Sequence, residues 1–186
     1  MLHFFDVSLL PDPESSTTHL MAALYSKFHF ALVRSHTSSL AVSFPQYAKS
    51  PCGVGSVLRI LGSLSELQAL LAFDWLGGMR DQVRIGSIGP VPATTEHKLL
   101  QRVQPKSSVW RLRRRHMKRH GVTELAATNA IPDSAAELVD LPFVQMASHS
   151  TGQRFRLYLR LRPAVTAISG TFNSYGLSAT ATIPWF

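Results

Sequence analysis

The feature that most constrains the fold of this chain is a run of positive charge near its middle. Nine of the 19 Lys and Arg residues fall between Lys98 and Arg119, a stretch that contains no acidic residue. Such a segment cannot be buried without partners, so it must face water or a polyanion. Residues 98–186 carry 13 basic and 4 acidic groups, whereas residues 1–97 carry 6 and 7. The basic half therefore predicts a surface that binds phosphates.

The centre of this run, from Trp110 to Gly121, has the pattern of a helix. Ser107 or Ser108 can cap its start, and Gly121 can end it. A helix face that is merely solvated usually carries acidic residues among its basic ones. Because this face carries none, we favour a surface that binds nucleic acid over one that only faces water. At 100° per residue, Arg113 falls among the apolar residues. The predicted cationic face comprises Arg111, Arg114, Arg115, Lys118 and Arg119, and the opposite side comprises Val109, Trp110, Leu112, His116 and Met117.

Composition restricts the class of protein. With 186 residues and 45% hydrophobic residues, the chain can form one domain or two small ones with real cores. Cys52 is the only cysteine, which excludes disulfides within the chain and cysteine-rich zinc sites. The N-terminal segment lacks a basic start and its apolar run ends at Pro11, so we expect no signal peptide. No apolar stretch reaches the length of a membrane span, and we expect a cytoplasmic protein.

The first half predicts a ferredoxin-like domain. Strands are expected at 2–9, 40–44, 57–61 and 83–88, and a Pro/Gly/Ser-rich loop at 50–56. One helix is expected from 17 or 18 to about 34, and a second from 63 to 72, where Ser63 and Glu66 form a capping box. The resulting βαββαβ order is also that of RRM domains, although their paired aromatic signature is missing. The buried stripe of the first helix is predicted to be Leu20, Met21, Leu24, Phe28 and Leu32.

The second half predicts an α+β domain built on the basic helix. A short helix is expected at 123–130, a hairpin from 143–148 and 155–161, and a last strand near the C-terminus. Charged and apolar residues alternate along 154–161, so one face of the hairpin should be cationic and the other apolar. We therefore predict two domains, 1–94 and 95–186.

The sequence argues against several kinds of catalytic site. No GxSxG or HExxH motif occurs, and acidic residues are too sparse for a glycosidase pair. His116 and His120 have the i, i+4 spacing of a metal-binding pair, but the surrounding Arg and Lys residues would repel a dication. We therefore expect neither a metal nor another cofactor.

Cleavage of RNA through its own 2′-hydroxyl needs fewer groups. The protein must align that hydroxyl, remove its proton, protonate the leaving 5′-oxygen and stabilise charge on the phosphate. A histidine with a pKa near ~6.5 suits either proton transfer. His29 lies at the edge of the apolar stripe of the first helix. From this pattern alone, a structural histidine and a catalytic one both stay open.

Short segments along the whole chain resemble one family. The segments are PDPE at 11–14, KFHFALV at 27–33, VSFP at 42–45, RVQ-K at 102–106, RLRRRHMKRH at 111–120, LPFV at 141–144, S-STGQ-FRL at 148–157, YGLS at 175–178 and PWF at 184–186. In order and with nearly the same spacing, they are similar to the CRISPR repeat-processing endoribonucleases of the type I-F system.

This resemblance implies a reaction and partners. The protein would cleave the CRISPR precursor transcript at the 3′ base of a repeat hairpin, without metal, leaving a cyclic phosphate and a 5′-hydroxyl. It would bind the repeat stem-loop in both the precursor and the mature guide RNA, and would join other subunits of a type I-F effector complex, away from membranes.

The resemblance also implies catalytic roles. His29 resembles the proton-transfer histidine, Ser148 the serine that holds the ribose 2′-hydroxyl, and Tyr175 the tyrosine that orients the site. Ser150 is a weaker supporting match. His149 departs from the family, in which an uncharged residue is expected, and strand alternation favours a bystander that points away from both serines.

RNA-binding roles follow in the same way. Arg102 and Gln104 resemble the pair that reads the two base pairs at the bottom of the stem, in agreement with the bidentate pairing of Arg with guanine and of Gln with adenine. Phe155 resembles the aromatic residue that stacks on the terminal pair. Lys106 and the cationic helix face are assigned to RNA binding as well.

Two other functions compete with this interpretation. One is a hairpin-binding structural subunit without catalysis, against which the presence of both His29 and Ser148 argues. The other is a basic adaptor that docks on an acidic protein. The sequence leaves open the repeat sequence, and whether the host system is a defence locus or a transposon.

Overall fold

The fold is described by a computed structural model that covers residues 2–105, 109–135, 139–148 and 151–186. Two 3₁₀ turns, Arg80–Gln82 and Asp133–Ala135, accompany its helices and strands. The helices and strands are, in chain order, β1 His3–Leu9, α1 Thr17–Ser35, β2 Ala41–Ser43, β3 Ala48–Lys49, β4 Cys52–Gly53, β5 Val57–Gly62, α2 Leu64–Ala72, β6 Val83–Ile85, β7 Gly89–Pro90, β8 Glu96–Val103, α3 Val109–His120, α4 Glu124–Ala130, β9 Phe143–Ala147, β10 Arg154–Ala164 and β11 Ile183–Trp185.

The first sheet has the ferredoxin-like arrangement that the sequence predicts. Its strand order is β2-β5-β1-β6, all neighbours are antiparallel, and β7 pairs with β1. Phe5 and Val7 of β1 lie opposite Ile60 and Leu58 of β5, and all four are fully buried. Cross-strand partners share a face, so these side chains line one core side of the sheet. Both α1 and α2 contact β1. The α+β fold class is therefore confirmed.

The long helix α1 behaves as its pattern predicts. All five residues of the predicted stripe are buried, and the side chain of the N-cap residue Ser16 accepts a hydrogen bond from the backbone of His19. The helix ends at Ser35, and its C-cap residue His36 adopts a left-handed conformation. Across the described part of the chain, no helix combines the length and the apolar character needed to cross a membrane.

The first half of the chain differs from the prediction in two places. The fourth strand was expected at 83–88, but β6 ends at Ile85, and β7 continues the pairing farther along β1. Because three residues separate β6 from β7 while two separate their partners Phe4 and Val7, this edge of the sheet bulges. The segment 50–56, which was expected to be a loop, contains the short strand β4. This strand pairs with β3 in a separate two-residue ladder.

The second sheet has the order β11-β8-β10-β9, again with antiparallel neighbours. The predicted hairpin is confirmed as β9 and β10, and the predicted last strand as β11. The central strand β8 was not predicted. Its sequence, EHKLLQRV, shows no clean apolar alternation, because four of its residues carry charged or imidazole side chains. Pairing with strands on both sides, rather than local pattern, fixes β8 as a strand.

The described residues form two compact units: residues 1–103 with 141–186, and residues 104–140. Within the second unit, α3 has the predicted bounds and contacts α4. Gly121 follows α3 with a φ of 64°, as expected. The short helix predicted at 123–130 is α4, and Thr123 is its N-cap. The predicted caps Ser107 and Ser108 lie outside the described residues. The predicted boundary between 1–94 and 95–186 stays a prediction.

A tight turn near the C-terminus packs against α1 and β2. The Asn173 side chain accepts hydrogen bonds from the backbone nitrogens of Tyr175 and Leu177, at 2.9 and 3.2 Å. Gly176 adopts a φ of 69°, and its carbonyl accepts a hydrogen bond from Val42 at 3.0 Å. A Cβ atom at Gly176 would lie 3.0 Å from Val42 Cγ1 and 3.2 Å from Phe28 Cε1. Both the backbone conformation and the space therefore require glycine.

We expect Gly176→Ala to lower the free energy of unfolding by about 2–5 kcal/mol, because a left-handed conformation costs an alanine about 1–2 kcal/mol and overpacking adds about 1–3 kcal/mol. Gly78→Ala is the matched control, since Gly78 has a φ of 73° and an added Cβ atom would lie in open space. The control should show only the backbone cost. Urea unfolding of both variants measures the difference, and equal losses would mean that close packing at Gly176 has no energetic weight.

Candidate active site and nucleic-acid interface

His29 is half-buried on α1, one residue after the fully buried Phe28. Its Nδ1 atom lies 2.6 Å from the carbonyl oxygen of Ser174. A carbonyl only accepts hydrogen bonds, so Nδ1 must carry a proton and donate it. In the neutral imidazole, the lone pair is then on Nε2. His29 is thereby prepared to accept a proton at one defined nitrogen.

Tyr175 fixes the plane of the His29 ring. The two rings stack with centroids 4.1 Å apart and planes 5° apart. The position of Tyr175 is itself set from α1, because Tyr25 donates a hydrogen bond from its hydroxyl to the Tyr175 carbonyl at 2.8 Å. Burial, helped by the neighbouring Tyr175 phenol and opposed by Arg102, raises the pKa of the Tyr25 phenol well above its usual value. Tyr25 therefore stays a protonated donor.

Arg102 lies beside this pair. It sits on β8 opposite Leu159 of β10. Its guanidinium carbon is 5.4 Å from the centroid of the Tyr175 ring and 5.5 Å from that of Phe155. Its Nε atom is buried and has no hydrogen-bond partner among the described residues. Aromatic faces, rather than an acceptor at Nε, thus position this guanidinium.

Ser148 follows β9 at the start of the hairpin turn. Its backbone nitrogen donates to the carbonyl of Gln153 at 2.8 Å, and its carbonyl accepts from Gly152 at 2.7 Å. Gly152 has a φ of 65°, which suits a tight turn. Along β9, Ser148 lies two residues beyond Met146, the cross-strand partner of Phe155. The turn therefore holds Ser148 at the same end of the hairpin as Phe155.

The structure brings together four of the residues that the sequence singles out. Contacts run from His29 to Tyr175, from Tyr175 to Arg102, and from Arg102 to Phe155. Gln104 lies just beyond β8 and is exposed. Ser150, His149 and Lys106 lie outside the described residues.

Sequence reasoning missed the supports of His29, namely Tyr25, Asn173 and the carbonyl of Ser174. Tyr25 precedes His29 by four residues and so lies on the same side of α1, a signal that was available. The roles of residues 173 and 174 involve turn geometry and a main-chain acceptor, which no side-chain pattern reveals.

The second unit presents the predicted cationic face of α3. All five of its Arg and Lys residues are exposed. Arg113, which the pattern placed among apolar residues, is an anchor: it donates hydrogen bonds to the Ile131 carbonyl at 2.8 Å and to Asp133 at 2.9 Å. The placement of Trp110 on the packing side was wrong. Trp110 is 63% exposed, and the Arg114 guanidinium lies 5.4 Å from its ring centroid.

The histidine pair of α3 has the geometry of neighbours on a helix. The His116 and His120 ring centroids are 4.6 Å apart. Within the described ranges, no group of three or more His, Cys, Asp or Glu side chains is placed to hold a metal ion.

Comparisons with known proteins cover the whole chain. The family model described as CRISPR-associated protein (Cas_Csy4) matches residues 4–186. The chain is 46% identical over 187 aligned residues to the CRISPR-associated endonuclease Cas6/Csy4 of Pseudomonas aeruginosa (strain UCBPP-PA14), and 41% identical over 187 to the protein of the same name from Escherichia coli (strain UTI89 / UPEC). Each alignment spans 100% of both proteins. The chain therefore belongs to the Cas_Csy4 family of CRISPR-associated proteins.

Proposed function

We propose that this protein is an endoribonuclease that cuts the CRISPR precursor transcript at the 3′ base of a repeat hairpin, without a metal ion, and stays bound to the guide RNA. The observation that carries the proposal is His29, held in one tautomer by the Ser174 carbonyl and stacked on Tyr175. The names of the relatives, CRISPR-associated endonucleases, support the same activity. Its site of action is the cytoplasm, with other subunits of a type I-F effector complex as partners.

The proposed chemistry uses the 2′-hydroxyl of the RNA as the nucleophile. Nε2 of His29 removes the hydroxyl proton, and the oxygen attacks the adjacent phosphorus as the bond to the 5′-oxygen breaks. The Ser174 carbonyl continues to accept from Nδ1 and stabilises the imidazolium that forms. That imidazolium can return its proton to the leaving 5′-oxygen. The products are a cyclic phosphate and a 5′-hydroxyl.

Ser148 and Tyr175 hold this geometry in the proposal. Ser148 positions the 2′-hydroxyl, supported by its fixed place at the start of the hairpin turn. Tyr175 keeps the His29 ring in one plane, so that Nε2 faces the hydroxyl throughout. We assign a supporting role to Ser150 and no role to His149.

In the proposal, some residues recognise the base sequence of the hairpin and others bind its phosphates. Arg102 forks onto a guanine and Gln104 onto an adenine in the two base pairs at the bottom of the stem. Phe155 stacks on the terminal base pair. Its contact with the Arg102 guanidinium holds the stacking residue beside the base-contacting residue. Lys106 and the cationic face of α3 bind phosphates.

Metal dependence gives the most direct test. We expect the purified protein to cleave a repeat hairpin at an unchanged rate in EDTA, leaving a 2′,3′-cyclic phosphate and a 5′-hydroxyl, because the reacting groups are the RNA hydroxyl and a side chain. End-group analysis of the products measures this. Activity that requires Mg²⁺, or a 5′-phosphate product, contradicts the mechanism. Binding without any cleavage identifies the protein as a structural subunit instead.

We expect His29→Ala to lower the cleavage rate by about 10²–10⁴-fold and to leave hairpin affinity nearly unchanged, because the substitution removes a proton-transfer group. His19→Ala is the matched control: His19 is an exposed histidine on the same helix, and only its backbone takes part in the cap. Single-turnover rates and binding constants separate the two effects. A loss confined to binding assigns His29 a structural role, and His149→Ala should matter much less than His29→Ala.

Substitution of Arg102 and substitution of Arg115 should weaken RNA binding in different ways. Arg102→Ala should weaken binding of the cognate stem by about 1–3 kcal/mol and relax discrimination at the basal pairs, because a base contact is lost. Arg115→Ala should weaken many hairpins alike and lower the salt slope by about one unit, because a phosphate contact is lost. Binding of cognate and base-pair-swapped hairpins at two salt concentrations distinguishes them. Equal losses on both hairpins for Arg102→Ala would remove Arg102 from the sequence readers.

A further inference from the structure

The second sheet has a cationic face that the proposed cleavage site does not use. On β10, Phe155, Leu157 and Leu159 point to the side of Arg102, since Leu159 and Arg102 are cross-strand partners. The alternate residues of β10 therefore point to the opposite side. We call that side the outer face; its β10 residues are Arg154, Arg156, Tyr158, Arg160 and Arg162.

Positive charge on the outer face has no compensating partner in the sheet. The residues opposite Arg156 and Arg160 are Gln145 and Gln101, and those opposite Arg154 and Arg162 are Ala147 and Leu99, all of them uncharged. None of these four arginines takes part in the ion pairs found among the described residues. Three of them are exposed, and Arg160 is half-buried. The outer face is thus a row of four unneutralised guanidinium groups.

The row has the length of a short polymer. Alternate residues of a strand are about 6.7 Å apart, so the arginines span about 27 Å from Arg154 to Arg162. A compact anion such as a single phosphate would meet only one or two of them. A linear polyanion with regularly spaced charges can contact all four, and the charge density then favours it strongly over small anions.

Aromatic rings lie among the arginines. Phe143 of β9 is the cross-strand partner of Tyr158, and their ring centroids are 5.5 Å apart. The Arg156 guanidinium lies 4.8 Å from the centroid of the Phe143 ring. Interleaved cations and flat side chains on one sheet face are typical of surfaces that bind single-stranded nucleic acid, whose phosphates meet the cations while its bases stack on the rings. An acidic protein segment would use the charge alone.

We propose that the outer face binds the single-stranded RNA on the 5′ side of the repeat hairpin, an inference that rests on the proposed function. The stem ends at Phe155, and His29 and Tyr175 connect to Phe155 through Arg102 on the other side of the sheet. The 3′ flank must pass His29 to be cut. The 5′ flank leaves from the opposite strand of the stem, and the outer face is the remaining side of the same hairpin. Because the 5′ flank stays attached after cleavage, this contact would hold precursor and product alike.

Binding of three RNAs tests the inference: the minimal repeat hairpin, the hairpin with eight added 5′ uridines, and the hairpin with eight added 3′ uridines. Each carries a 2′-deoxy nucleotide before the cut, so that it is bound and not consumed. We expect the 5′ extension to tighten binding at least tenfold and to steepen the salt dependence, by about 0.7 for each phosphate contacted. The 3′ extension should change affinity less than threefold.

The double variant Arg156→Ala/Arg160→Ala should lose the gain from the 5′ extension and bind the minimal hairpin within about twofold of the unmodified protein. Lys49→Ala/Arg84→Ala is the matched control, because it removes two exposed cations outside the second sheet. This control should keep the gain. Tyr158→Ala should reduce the gain without altering the salt slope, since stacking rather than charge is lost. Thermal unfolding checks that each variant folds.

Several outcomes would overturn the inference. A gain that survives the double variant, that disappears equally in the charge-matched control, or that comes from the 3′ extension instead contradicts the assignment. Polyglutamate that abolishes the gain as effectively as polyuridine of equal charge would identify the outer face as a site for an acidic protein. Failure of the minimal hairpin to bind, or to be cut when it carries its 2′-hydroxyl, would refute the proposed function. A minimal hairpin that binds and is cut but gains nothing from the 5′ extension would refute this inference alone.

Discussion

The candidate site depends on two hydrogen bonds from one helix to adjacent carbonyls of a turn. Tyr25 donates to the carbonyl of Tyr175, and His29 donates to that of Ser174. The donors lie four residues apart on α1, on the same side of the helix. The turn cannot shift without breaking both bonds, so the histidine tautomer, the stacked tyrosine ring and the arginine beside it are fixed by a single arrangement. Burial of the Tyr25 hydroxyl strengthens this constraint, because an unpaired buried donor would be costly.

The alternation of its strands gives the second sheet two chemically different faces. Side chains on the Arg102 side of β10 are apolar and close a core, and they carry Phe155 at their end. Those on the outer face are cationic and aromatic. One strand of 11 residues therefore contributes Phe155 to the candidate site on one face and a row of arginines to the other. The cationic helix α3 adds a third basic surface in a separate compact unit.

Much of this fold could be predicted from local pattern. The stripe of α1, the capping box of α2 and the alternation along β10 each follow from side-chain periodicity, and the structure confirms them. Strand β8 could not be predicted, because charged and imidazole side chains interrupt the apolar alternation of its sequence, and backbone pairing with β10 and β11 is what makes it a strand. The pattern placed Arg113 correctly on the packing side of α3. It could not show what Arg113 does there, because its partners Ile131 and Asp133 are distant in sequence. The sequence singled out the candidate site side chains, but it could not reveal the Ser174 carbonyl that orients His29.

The use of main-chain acceptors also bears on how such a site can change over generations. Any residue at position 174 supplies the same carbonyl, so that position is chemically neutral for the orientation of His29 and is open to drift. The choice of amino acid is restricted at Asn173 and Gly176 instead. The amide side chain of Asn173 and the missing Cβ of Gly176 both shape the turn. Sequence variation should therefore be wide at the residue that touches the histidine and narrow at two neighbours that do not.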